Sequence, residues 1–421
     1  MDANLRIPES NQFNIGFERE VAKGWVFEAN YTVNKTTHLW RDSNPNAPRL
    51  SEANARLQRN YKDWTEYLVD NPFTLATGRV YTFYLGTNTS DGSGLSTVRN
   101  PPPGVPLTTP CSTSSPNCFV NLNTISTSAT APLIASAGLN NAATGGPIGI
   151  ALAAIAQFRP DQNAQETSRI GSRGNAFYQG LILELRSRHR KLGYGFGANL
   201  KMVYTLSSTQ DDGLNNTSNA EVNGDFDREF ARNLQDRRHR LAFSGTFDTP
   251  WWLGKLKFSP LVRFGSSAPF NLGDGGSDRN LDDVSTDRLN FSGNLNDIRS
   301  RQPSSPVPDS LIAQFSLQPI GAKSGNLPRN SGTGPSFYTF DLNLTREWKL
   351  GEHKKLRPVI QFDNILNATV FAYGAGFIDF QSLRNDGTAP TAAQTLARNN
   401  FLVPTRTYRQ RQIRLGVRFD F

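Results

Sequence analysis

The sequence predicts an all-β fold: a transmembrane antiparallel β-barrel wall of about nine strands joined by long extracellular loops. Three observations lead there. Apolar and polar residues alternate with period two in blocks of roughly ten residues, the length a barrel strand needs. The connections between blocks are short and long in strict turn, as in a barrel with short turns at one rim and large loops at the other. Tryptophans (Trp25, Trp251, Trp252 and Trp348) lie at or beside the short turns, where an amphipathic ring suits the lipid headgroup level.

The first block is a hairpin over 12–38. Phe13, Ile15 and Phe17 share a face, a turn runs over 21–24, and Trp25, Phe27, Ala29, Tyr31 and Val33 oppose Glu28, Asn30, Thr32 and Asn34. Alternation then stops, and a long outer loop is expected over 39–173, rich in Pro, Asn, Ser, Thr and Gly. Within it, Cys111 and Cys118 suit a small disulfide staple in an oxidising compartment. Residues 148–158 suit a short helix, interrupted upstream by Gly145, Gly146 and Pro147.

The second hairpin covers 175–206. Phe177, Leu181, Leu183 and Leu185 lead into a basic turn (Arg186, Arg188, His189, Arg190, Lys191). Tyr194, Phe196, Ala198, Leu200, Met202, Tyr204 and Leu206 then oppose Gly195, Gly197, Asn199, Lys201 and Thr205. After a loop over 207–237, the hairpin 238–265 carries Leu241, Phe243 and Phe247, then Leu256, Phe258, Val262 and Phe264. A loop over 266–336 precedes the hairpin 337–367, with Tyr338, Phe340, Leu342 and Leu344 followed by Leu356, Ile360 and Phe362. A last loop, 368–406, leads to the terminal strand, 407–421. From Tyr408 to Phe421 the alternation is cleanest: Ile413, Leu415, Val417, Phe419 and Phe421 on one face, Gln412, Arg414, Gly416, Arg418 and Asp420 on the other.

Mean hydropathy is −0.49 and no apolar run reaches the ~18 residues of a membrane helix. A net charge of +9 would suit nucleic acid, but Lys and Arg are spread along alternating strands, so no nucleic-acid partner is expected. About nine strands is an odd number, and the first and last would run in the same direction. Single-chain bacterial barrels have even strand numbers. The expectation is therefore the carboxy-terminal part of a larger barrel. Met1-Asp2-Ala3-Asn4 opens without a basic and apolar leader, so the signal peptide of such a protein would be missing from this chain.

The aromatic-ended final strand resembles the signal that the barrel assembly machinery reads in bacterial outer-membrane proteins. Further stretches resemble the TonB-dependent outer-membrane receptors, above all their Oar-like group, which carries a carboxypeptidase regulatory-like domain. These are 12–20 with 30–39, the run 236–245 that opens Asp236-Arg237-Arg238-His239-Arg240, the Asp/Gly/Asn-rich segment 271–290, the segment 334–344, and Phe362-Asp363-Asn364-Ile365-Leu366-Asn367. The resemblance implies a plugged barrel of about 22 strands, outer-membrane lipid around it, a TonB-type energy transducer reached through amino-terminal parts missing here, and a small-molecule or peptide cargo.

Little points to an enzyme, and no catalytic, cofactor-binding or metal-ligating residue is assigned. Gly193-Tyr194-Gly195-Phe196-Gly197 mimics a nucleotide loop, but a Rossmann fingerprint opens a helix, whereas these glycines are expected on a strand's polar face. His38, His189, His239 and His353 lie on separate segments, without zinc spacing. No cofactor is expected. Crowded oxygens in the acidic loops (Asp274, Asp278, Asp282, Asp283 and Asp287; Asn223, Asp225, Asp227 and Glu229) suit structural calcium, although Asp and Asn also simply favour turns. The lumen candidates are Glu28, Asn30, Asn199, Lys201, Arg263, Asp341, Asn343, Gln361, Asp363, Arg414 and Arg418. Transport through a plugged barrel is the expectation; the alternative is a structural or adhesive surface protein whose loops bind and through which nothing passes.

Overall fold

A computed structural model describes residues 1–74, 78–86, 95–97, 117–123, 147–213, 215, 218–273, 278–302, 305, 307–351, 354–372, 377–379, 399–404, 406–407 and 410–421. Cys111, Asp274 and His353, and the side chain of Cys118, lie outside the described residues.

One antiparallel sheet organises the chain. Its nine long strands are β1 (Glu9–Ala22), β2 (Trp25–Ser43), β3 (Arg169–Ser187), β4 (Phe196–Asp211), β5 (His239–Asp248), β6 (Leu256–Gly265), β7 (Phe337–Arg346), β8 (Lys355–Asp363) and β9 (Gln412–Asp420). They pair in sequence order, each with the next. Among the described residues β1 and β9 are edges and do not pair with each other, so the sheet is open.

Period two places one apolar set on one side of the whole wall. Ala29, Leu183, Tyr204, Leu241, Phe264 and Tyr338 lie in one cross-strand row from β2 to β7. Ala198, Phe247, Phe258, Leu344, Ile360 and Leu415 form another from β4 to β9. Phe13, Ile15, Ile413 and Leu415 on this face are each more than half exposed. An apolar surface this extensive needs lipid against it. At the short-turn end Trp251, Trp252, Trp348 and Tyr194 stand out into the surroundings, as a girdle requires.

The second hairpin differs from its predicted form. Arg186 belongs to β3 and not to the turn. The chain reverses at Tyr194 and Gly195, both at positive φ (48° and 84°), the signature of a two-residue turn that matches strand twist. Gly193 and Gly195 thus serve the turn, and only Gly197 lies within β4, against the His189 ring.

β2 and β3 run on past the alternating blocks, to Ser43 and from Arg169. Two irregularities accompany the extension. His38 (φ 59°) interrupts β2, and Arg173 is an extra residue on β3, between Gly174 opposite Leu39 and Ser172 opposite Trp40.

Beyond these extensions the loops pack into a layer with two hydrophobic cores. The first joins α1 (Leu50–Leu57), α2 (Trp64–Asp70) and α3 (Pro147–Ile155) to Tyr81, Phe83 and Leu122, with Leu281 and Ile320 from a distant loop. Trp64 stacks on Phe158, with ring centres 5.8 Å apart. Pro147 opens α3 instead of interrupting it, since a first-turn proline forgoes an amide the helix would not use. The second core gathers Phe270, Leu272, Leu289, Phe291, Ile298 and Phe315 with Phe401 and Leu402.

Candidate functional site

The face opposite the lipid rows is polar, and register decides which of its residues meet. Glu18, Glu28 and Glu184 stand side by side on β1, β2 and β3. Three like charges in a row repel, so cations from the next row are needed. Arg186 reaches Glu18 at 2.7 Å and both Glu28 and Glu184 at 3.3 Å, and Lys201 reaches Glu184 at 2.9 Å.

A second polar group lines a cavity of about 470 Å³ between β6 and β9. Arg263 Nη2 lies 2.8 Å from Asp341, and its Nε donates to Thr339 Oγ1 at 3.2 Å. The other Asp341 oxygen accepts the Asn364 backbone N–H at 2.8 Å. Arg414 lies 2.7 Å from Asp363, which also accepts from Gln361 Nε2 at 2.9 Å. Gln410, Gln412 and Val370 complete the wall. At one end Arg237 covers the Phe337 ring, 4.7 Å from its centre, and that ring lies where a side chain on Gly265 would stand. Both Arg263 and Arg414 keep half of their side-chain surface open. Exposed pairs of this kind add little stability; they hold two guanidinium groups ready beside two carboxylates.

Of the sequence-predicted lumen residues, the cavity brings together Arg263, Asp341, Asp363 and Arg414. Glu28 and Lys201 join the carboxylate row. Asn199 is engaged within the wall, accepting from the Thr246 backbone at 2.8 Å, and Asn30 accepts from Thr32 at 3.2 Å. Arg418 pairs with Asp420 at 2.9 Å, and Asn343 and Gln361 lie outside the cavity lining. Sequence reading missed Glu18 and Glu184. Period two puts both on the same face as Glu28 once the hairpin registers are fixed.

In the loop layer, the acidic residues tie three connections together. Asp278 is buried and accepts the backbone N–H groups of Asp282 and Asp283 at 3.0 and 2.9 Å. Asp282 accepts from Asn223 N at 2.6 Å and Val284 N at 3.0 Å. Asp283 forms a two-pronged pair with Arg159 at 2.5 and 2.7 Å, and takes a bond from Asn44 at 2.9 Å. Among the described residues no three acidic, His or Cys side chains converge as a metal would need. Burial pushes Asp278 well above the carboxylate range, with Asp282 and Asp283 adding to it, and pushes Asp282 up to about 7. Burial raises Asp212 and Glu221 as well.

These shifts have a definite sign. A carboxyl raised in the folded state binds its proton more tightly folded than unfolded. Stability therefore falls as pH rises from the unfolded value near 4 to about 7, and stays reduced above it. For Asp282 the change is on the order of a few kcal/mol. Protection factors at 278–284, taken after correcting exchange rates for their intrinsic dependence on pH, are expected to be larger at pH 5 than at pH 8; larger protection at pH 8 would refute this account.

The Escherichia coli outer membrane transporter YddB is a similar solved structure, with a TM-score of 0.43 and 7% identity; the match covers 99% of this chain and 33% of the transporter, so the chain spans about a third of that protein's length. No curated protein matches the chain. Residues 1–413 match the outer membrane beta barrel domain model, and with its open antiparallel wall, lipid-facing rows and polar inner face, the chain belongs to that family and to the bacterial outer membrane.

Proposed function

We propose that this wall belongs to an energised transporter of the TonB-dependent receptor type, of the Oar-like group. Ligand is recognised by the outer loops and the polar inner face. A TonB-type transducer acts through a plug that other parts of the protein supply, and the barrel assembly machinery inserts the chain by its terminal strand. The reading is supported chiefly by the cavity between β6 and β9, where Arg263, Asp341, Asp363 and Arg414 offer charge-assisted hydrogen bonds to a small polar molecule or peptide.

The test is uptake by cells carrying the full-length gene. Ligand-dependent growth is expected to vanish when the energy transducer is deleted. Combining Arg263→Ala with Arg414→Ala is expected to weaken uptake by about ten- to a hundredfold, the loss of one or two charged hydrogen bonds. Growth indifferent to the transducer would defeat the energised reading. The packed loop layer favours a second reading, a surface-binding protein through which nothing passes. In that case adhesion would need the loops while uptake would be absent.

A further inference from the structure

Where β2 and β3 rise into the loop layer there is a second cavity, of about 360 Å³, separate from the one between β6 and β9. Arg49, Arg169 and Arg173 line it, together with Asn44, Asn223 and Gly224. The arginines reach it by different routes. Arg169 lies opposite Ser43 in the last register pair of β2 and β3. Arg173 is the extra residue of the bulge, which frees its side chain from the ladder and re-aims it. Arg49 precedes α1, whose first turn has no side-chain cap.

Four other arginines of this layer, all largely buried, have their charges matched, whereas Arg49 and Arg173 are exposed and Arg169 is half-buried. Arg41 pairs with Asp212, Arg159 with Asp283, Arg288 with Glu221 and Glu229, and Arg329 with Asp211. Among the described residues Arg49, Arg169 and Arg173 form no ion pair; Arg49 makes a long bond to the Pro45 carbonyl at 3.5 Å. One carboxylate, Asp282, also lines the cavity; its oxygens accept the Asn223 and Val284 amides, and it forms no ion pair with the three arginines. Gly224 sits at φ 80°, and a side chain there would stand 3.3 Å from the Arg173 guanidinium, which keeps that wall clear. Three arginines lining one polar cavity form a site for negative charge.

We propose that this cavity binds an oxyanion, a carboxylate- or phosphate-type group on a ligand met in the loop layer, through Arg49, Arg169 and Arg173. The site stands independently of transport through the wall.

Calorimetric titration of the full chain, folded in detergent micelles, tests it. Sodium sulfate is the probe, since its charge is constant across neutral pH, with sodium chloride at matched ionic strength as reference. Saturable sulfate binding is expected. It should weaken at least tenfold in Arg169→Gln combined with Arg173→Gln, and severalfold in Arg49→Gln, whose exposed side chain can change without disturbing the fold. Arg299→Gln, an exposed loop position elsewhere, should bind as the unaltered chain does. Absence of saturable binding, or affinity unchanged in both the double variant and Arg49→Gln, would overturn the proposal.

Discussion

Replacing Arg288 with alanine is expected to destabilise the outer-loop layer by about 3–5 kcal/mol, the usual cost of removing one partner from a buried ion pair. Its guanidinium lies 2.7 Å from Glu221 and 2.9 Å from Glu229, and all three side chains are almost wholly buried. The Arg288 backbone N–H also donates to Glu221 at 2.8 Å. Without the arginine, two carboxylates remain buried, in a place where burial already pushes Glu221 upward. The damage should stay local, because Arg288 touches the loop layer and not the wall. Limited proteolysis is expected to cut between 218 and 330 while the barrel strands stay protected. Converting all three residues together to apolar ones of similar size should cost far less, since no charge is left behind. If the single variant resists protease as well as the unaltered chain, the triad is not holding the layer.

The second large effect separates the two faces of the wall. Val262→Arg, on the lipid-facing side of β6 and near mid-strand, should cost about 2–4 kcal/mol. Ser259→Arg, on the polar side of the same strand, should cost less than about 1 kcal/mol. Both can be measured by urea titration of chain folded into lipid vesicles. Equal costs would mean that the faces have been assigned wrongly.

The wall was legible in the sequence because a bilayer imposes a strict code: one face apolar, the other polar, for as long as the strand is in lipid. Where lipid ends, so does the code. From Leu39 to Ser43 the strand continues beside β3, but what packs against the pair there is loop and no longer lipid. Arg41 there is buried against Asp212, 2.7 Å away, and reads as loop chemistry in sequence. The loop cores were illegible for a related reason. Phe270, Leu289, Ile298 and Phe401 come from turn-rich segments without periodicity, and only the fold brings them together. Arg186 looked like part of a basic turn because its neighbours Arg188, His189 and Arg190 are basic. Its three glutamate partners sit on three strands, and only register joins them. The inner-face cavity falls between these cases. Its charged residues were read correctly as polar-face residues, but their meeting depends on how β6 to β9 are offset.

The length of β2 and β3 has a consequence for encounter. Each has 19 residues. At about 3.4 Å per residue and a tilt near 45°, each stands roughly 45 Å tall, against an apolar band of about 25 Å. The loop layer is therefore mounted on a pedestal about 20 Å beyond the apolar band, roughly 10–15 Å clear of the lipid headgroups. A molecule arriving from outside meets this protein first at that height, among folded loops in water, and long before it feels the membrane.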